Sequence, residues 1–265
     1  MPFKIDTCFS IPFLRNTGVL LLLGLAACHN PAQKENKQAG LAEFETPGSK
    51  YQTYSGETGA RKYITLPDSS TVILNSASTL SVPDNYQQGH RRLLLDGDAW
   101  FEVKPDTAVF SVVTDKLTTE VLGTSFRVRS FTSQQGATVH LYTGKIKVSK
   151  SYHSSTDNQP EILETGQMIL ANKEIDLMEK ETYKPEEARL WLADSLQLNG
   201  SANMMFWRTL EDWYGVDISV TGNGGGNSEV HELFVKATLQ QVLDKLSKQL
   251  QFKYTITENK VTIKY

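Results

Sequence analysis

Between Lys62 and Met178 the chain is a series of short segments in which apolar and polar residues alternate, separated by turn residues. No stretch there keeps a helical period for a usable length. The segments include Tyr63 to Leu66, Val72 to Leu74, Arg92 to Leu95, Trp100 to Val103, Phe110 to Val113, Phe126 to Val128, Val139 to Tyr142, Lys145 to Val148 and Met168 to Leu170. An all-β domain follows. Four segments share a finer pattern, an apolar strand, one glycine and a second strand: LLLDGDAWFEV, TEVLGTSFRVR, VHLYTGKIKVS and EILETGQMIL. Their glycines, Gly97, Gly123, Gly144 and Gly166, recur about every 21 to 26 residues, as corners of a repeated supersecondary unit would. Two arrangements satisfy this spacing, a β-solenoid of stacked repeats and an antiparallel sandwich with glycine turns. The polar, turn-rich stretch Ser151 to Pro160 reads as a protruding loop.

Past a charged, proline-containing bridge the period changes. Leu196 to Leu198 reads as a strand and Ser201 as a helix N-cap. Phe206, Trp207, Leu210, Trp213 and Tyr214 then recur at helical spacing up to Gly215. These aromatics belong to the buried face of an amphipathic helix. Val216 to Val220 and Leu233 to Val235 are further strands, with Gly222 to Ser228 a flexible connection between them. Thr238 and Gln241 form a capping box ahead of the apolar face Leu239, Val242, Leu243, Leu246 and Leu250. Lys253 to Thr257 and Lys260 to Lys264 close the chain around Glu258-Asn259. The order β-α-β-β-α-β-β predicts one sheet with two helices on a single face. The organisation expected is a leader over 1–28, a tether over 29–61, the all-β domain over 62–179, a linker over 180–192 and a small α+β domain over 193–265.

The leader has its own signature. Lys4 and Arg15 precede the apolar run Thr17 to Ala27, which falls short of the roughly 20 residues needed to span a bilayer and fits the core of a signal peptide. Leu25-Ala26-Ala27-Cys28 resembles the lipobox of bacterial lipoproteins, which implies lipidation at Cys28. Cleavage there also removes Cys8, so the processed chain holds one cysteine and no disulfide is expected. With His29 rather than aspartate after the cysteine, the expected location is periplasm-facing, lipid-anchored to the cell membrane, with the outer membrane favoured.

Chemistry is sparse. The net charge of -3 gives no basic field for a phosphate backbone, which argues against a nucleic-acid partner. His29, His90, His140, His153 and His231 have no spacing that pairs two of them on one helix face, and His231-Glu232 lacks the second histidine of a zincin, Val235 standing in its place. The glycine run Gly222 to Gly226 lacks the lysine and hydroxyl of a phosphate cradle, and Glu186-Glu187 lies in a solvated linker. No nucleophile elbow is present. Neither a catalytic group, a metal site nor a cofactor is expected.

The motifs LPDSSTVILN (Leu66 to Asn75), LLLDGDAWFEV (Leu93 to Val103), VLGTSFRVRSF (Val121 to Phe131) and VHLYTGKIKVS (Val139 to Ser149) resemble the successive motifs of the FecR domain. LEDWYGVDI (Leu210 to Ile218) and Ala237 to Ile263 are similar to the small domain that follows it in Bacteroidetes, itself akin to the short secretin and TonB N-terminal module. Ser69 stands where that family usually has glycine, Asp98 and Trp100 replace the common glutamate and tyrosine, and Asn203 replaces a leucine. The resemblance implies an anti-sigma-type regulator in cell-surface signalling that works by binding protein. Such regulators usually carry a cytoplasmic sigma-binding segment and a membrane span, where this sequence shows an export leader. Sigma-factor control is therefore expected only through a partner that spans the membrane. The partner expected is the signalling domain of a TonB-dependent receptor or a membrane-spanning regulator. The contact expected is main-chain pairing at an exposed strand, Leu233, Phe234 and Val235 or Lys260, Val261, Thr262 and Ile263. The alternative is an envelope lipoprotein scaffold or carbohydrate-binding module without a sigma-factor role.

Overall fold

The computed structural model describes residues 41–86, 91–222 and 228–265. The leader, Cys28, the tether as far as residue 40, His90 and residues 223–227 of the glycine-rich stretch lie outside the described residues. Everything described falls within one unit, Lys37–Tyr265.

Among the described residues thirteen strands make up the β domain: β1 (Tyr51–Ser55), β2 (Lys62–Thr65), β3 (Thr71–Leu74), β4 (Thr79–Pro83), β5 (Arg91–Glu102), β6 (Phe110–Val113), β7 (Leu117–Val121), β8 (Ser125–Ser130), β9 (Gly136–Thr143), β10 (Lys145–Lys150), β11 (Glu161–Glu164), β12 (Gln167–Asn172) and β13 (Leu177–Thr182). They form two layers that share the long strand β5. Its first half lies in a sheet of order β1-β4-β5-β6-β7-β10-β11, its second half in one of order β2-β3-β5-β8-β9-β12-β13. All pairs are antiparallel except β5 with β6. Of the two arrangements the glycine spacing allows, the structure has the sandwich-like one, its two layers being halves of a single 13-stranded, near-barrel sheet, and the recurring glycines are the places where the chain passes from one layer to the other. Gly97 does so within β5, Gly123 between β7 and β8, Gly144 between β9 and β10, and Gly166 between β11 and β12. Gly97 has φ +136, and a Cβ there would lie 2.3 Å from that of Ser78, so no side chain fits. The common core takes the inward residues of both layers, Leu93, Leu95, Phe110 and Leu117 against Phe101, Phe126, Val139 and Leu141. Phe101 stacks on Phe126 with ring centroids 5.1 Å apart.

β5 is also covered on its outward face, which explains its nearly unbroken apolar run. Leu94 packs with Leu41 and Val113 under the N-terminal segment. Ser69, in the β2-β3 turn, has φ +65, the left-handed region in which glycine carries no penalty. Asp68 holds that turn by accepting from the Ser70 amide and hydroxyl, the Tyr86 hydroxyl and Arg91. The stretch Ser151 to Pro160 does not protrude freely. The Asp176 carboxylate accepts hydrogen bonds from Lys150, the hydroxyls of Ser154, Ser155 and Thr156 and two of their amides, binding it to the β12-β13 turn.

Where a linker was expected, β13 runs on to Thr182 and a helix follows, α1 (Pro185–Leu192), with proline at its first position. The small domain then comprises β14 (Ser195–Ser201), α2 (Met204–Tyr214), β15 (Asp217–Thr221), β16 (Glu229–Val235), α3 (Leu239–Leu250), β17 (Lys253–Thr257) and β18 (Lys260–Lys264). The element order is the expected one, but the strands form two sheets rather than one. β14 pairs with β16, and β18 lies between β15 and β17. The N-cap of α2 is Asn203, whose side chain accepts from the Phe206 amide, and not Ser201. Gly215 ends α2 at φ +59, and the Thr238–Gln241 capping box opens α3. Both helices face a core of their own, built on Phe206, Trp207, Leu210, Leu243, Leu246 and Phe252 and separate from that of the sandwich.

Candidate domain junction and docking edge

The outward face of the second sheet carries polar and aromatic residues that period-2 alternation would leave to solvent. Asp98 is nonetheless fully buried. Its carboxylate accepts from Arg127 Nε at 2.7 Å and Nη2 at 2.6 Å and from the Asn75 amide at 3.0 Å, while its backbone N–H donates to the Ser78 hydroxyl. Burial raises the Asp98 pKa, and the charges of Arg127 and Arg129 with these hydrogen bonds outweigh it, so the carboxyl lies below its usual range. Beside it Trp100 meets Tyr142 edge-on and stacks against Trp191 of α1. One helix turn thus caps the face that β5 would otherwise expose.

Trp191 is also one wall of a cation site. The Arg61 guanidinium lies 4.0 Å from the Trp191 ring and 4.6 Å from that of Trp213 on α2. Arg127 approaches Trp191 as well, at 4.5 Å. Arg61 Nη1 donates to the Trp191 carbonyl and sits 3.3 Å from the Asp194 carboxylate. Among the described residues its Nε and Nη2 are buried without an acceptor, and burial lowers its pKa. On the other flank Arg129 bridges to Asp212 of α2 at 2.6 Å. These contacts join sandwich and small domain through charge and aromatic faces rather than a shared apolar core. Arg61, Trp191 and Asp194 escape sequence reasoning because Arg61 and Trp191 are 130 residues apart. Pro185 ahead of the helix formers Glu186 to Leu192 was the one local signal for α1.

The strand residues chosen from sequence fall in two different places. β16 pairs with β14 alone among the described residues. Leu233 and Val235 are 56% and 57% exposed while Phe234 faces the core. The Lys236 amide donates to the Asp194 carbonyl at 2.7 Å, and counting back by two along an antiparallel ladder leaves the main-chain groups of 233 and 235 facing the open edge. Lys260, Val261, Thr262 and Ile263 are different. They lie in β18, which has β15 on one side and β17 on the other, so they offer no edge. Val261 and Ile263 are core residues. His231 and Glu232 lie on β16, His231 exposed beside Glu229 and Glu232 paired with Lys245.

Comparison with known families matches a FecR protein domain over residues 52–147 and the FecR C-terminal domain over residues 205–263. Two crystal structures of a candidate anti-sigma factor from Parabacteroides distasonis share the fold. Both are 23% identical to this chain, with TM-scores of 0.59 and 0.58, covering 81% and 80% of it and 99% and 98% of their own chains. A comparison with curated proteins finds no match. The two family models together match more than half of the chain, which therefore belongs to the FecR family.

Proposed function

We propose that this protein is a periplasm-facing, lipid-anchored regulator in cell-surface signalling, acting by binding a protein strand along β16 rather than by catalysis. Membership of the FecR family supports a regulatory signalling role. The single observation that carries the docking site is the open edge of β16, where the exposed side chains of Leu233 and Val235 sit beside main-chain groups free to pair. The partner proposed is the signalling domain of a TonB-dependent receptor, or a membrane-spanning regulator that carries the message inward. The Cys28 anchor would keep the molecule on one side of the envelope.

A photo-crosslinking residue at position 233 tests the site in intact cells. The expected product joins the chain to a receptor or membrane-spanning regulator and disappears in Val235→Lys, a surface change that shifts stability by no more than about 0.5 kcal/mol. Undiminished crosslinking in that variant, or products with neither class of protein, refutes the site. Palmitate labelling lost in Cys28→Ala is the expected result for the anchor, and an unlabelled wild type removes it.

A further inference from the structure

We infer that Arg61 is a latch holding the small domain against the sandwich in a state poised to open, and that the latch is mechanically joined to β16. The first support is the character of the junction. The two apolar cores do not merge, and between them the Arg61 guanidinium lies among two indoles and a carboxylate, with Gly59 packed close to Leu239 and Gly215 close to Ser76 beside it. Cavities of about 140 Å³ and 240 Å³ border the junction, one beside Arg61 and Asp194, the other beside Arg129 and Asp212. Interfaces of this kind, polar and incompletely filled, belong to domains that move relative to each other.

The second support is the unfinished bonding of the latch itself. The Arg61 side chain is 5% exposed, yet Nε and Nη2 have no acceptor. A buried donor left unpaired retains its full desolvation penalty, which water would relieve as soon as the junction opened. The indole faces and Asp194 pull the other way. What Arg61 adds to the closed state, beside the Arg129–Asp212 ion pair on the other flank, is therefore the difference between two opposed contributions.

The third is the connection to β16. Asp194, the carboxylate partner of Arg61, accepts the Lys236 amide through its backbone carbonyl. Both residues have left-handed backbones, φ +50 at Asp194 and +49 at Lys236, a conformation that non-glycine residues hold only where their surroundings enforce it. One residue further on, the Ala237 carbonyl accepts the Tyr214 hydroxyl of α2. The end of β16 is thus tied to the latch and to the helix that carries Trp213. Where β16 is the docking edge, as proposed above, a bound strand and the latch act on the same backbone. That step rests on the docking reading, whereas the latch does not.

Hydrogen–deuterium exchange of the full chain, with no partner added, tests the latch. The expected result is that amides around Arg61, Trp213 and Lys236 exchange through one shared opening, well before those of Leu93 to Phe101 in β5. Arg61→Ala should speed that opening about tenfold or more and leave β5 unchanged. Arg61→Lys keeps the charge but loses the planar stack, and should fall between the two. It also serves should the alanine variant not fold. Junction amides exchanging only together with β5 overturn the proposal, as do unchanged junction rates in a folded Arg61 variant or a Lys236 region that ignores the substitution. Because no partner is involved, a failed crosslink at position 233 leaves this result intact, and a rigid junction leaves the docking edge to stand or fall by crosslinking.

Discussion

His140 provides a stability change that should appear between pH 6.5 and pH 4. It sits on β9 beside Arg127 with its ring edge-on to Tyr183 at 5.0 Å, and its Nδ1 is buried without a partner. Burial lowers its pKa, the Arg127 charge lowers it further against a smaller pull from Asp98, and the result is about 4 in place of 6.5. A pKa depressed on folding means that the unfolded chain binds the proton first. The contribution is complete above 6.5, declines as pH falls towards 4, and is constant below. From these two values the loss is about 2 kcal/mol by pH 5 and about 3 kcal/mol by pH 4. Asp98 and Asp68 are held below their ordinary value of 3.8, so the stability they contribute is lost only at lower pH and leaves this window clear. The assay is urea unfolding at pH 7.5 and pH 5, followed by far-ultraviolet circular dichroism, in wild type and His140→Phe. Phenylalanine keeps the ring against Tyr183 and cannot titrate. Wild type should lose about 2 kcal/mol more than the variant, roughly a 1 M shift in urea midpoint for a chain of ordinary m value. Equal losses in the two proteins would mean that the imidazole accepts its proton in the folded state at no cost, and that burial beside Arg127 does not depress its pKa.

Asp98→Ala leaves Arg127 facing a buried gap and removes the acceptor of Asn75. The expected cost is about 3 kcal/mol in urea unfolding, the low end for a broken buried pair because Arg127 retains some access to water. Unchanged stability would show the pair to be dispensable. Gly97→Ala should abolish a folded sandwich, since its Cβ would overlap Ser78, whereas Gly166→Ala, with φ +85 and open space around it, should cost about 1 to 2 kcal/mol and fold. Circular dichroism and soluble yield separate the two, and similar behaviour of both variants would refute the steric account of Gly97.

The local features of this fold were readable and the pairings were not. Alternation marked the strands of the sandwich, the capping box and Gly215 placed the helices of the small domain, and of the aromatic stripe Phe206, Trp207 and Tyr214 are buried as the spacing implied, while Trp213 is only partly buried and faces Arg61. The glycine repeat was visible, but a corner between two sheets and a corner in a stacked coil need the same backbone freedom, so it could not choose between them. β18 misled for a similar reason. A five-residue strand near the end of a chain, with lysine at both ends, has the composition of an edge. Its parallel pairing with β15, from Asp217↔Lys260 to Thr221↔Lys264, inserts it between two neighbours instead. Nothing within Lys260 to Lys264 encodes that choice, which is made by pairing with a strand about 40 residues earlier. The junction was least legible, because cation–π and charge contacts made across long separations leave no period in the sequence.

Docking on β16 can influence the latch only if the two are of similar strength and if docking distinguishes closed from open. A partner strand pairing with residues 233 and 235 would make up to four main-chain hydrogen bonds, each contributing about 0.5 to 1.5 kcal/mol net. The two indole contacts of Arg61 are each worth about 0.5 to 2 kcal/mol, reduced by the penalty on its unpaired nitrogens. The strengths are therefore comparable, and neither overwhelms the other. A strand that paired equally well with both states would shift nothing. The place where such a difference would arise is Asp194, which meets Arg61 through its carboxylate and holds the end of β16 through its carbonyl, beside the exposed pair of residues. A partner that prefers the relaxed strand opens the junction, one that prefers the held strand locks it, and Arg61→Ala should change the affinity of the first kind upward and of the second downward.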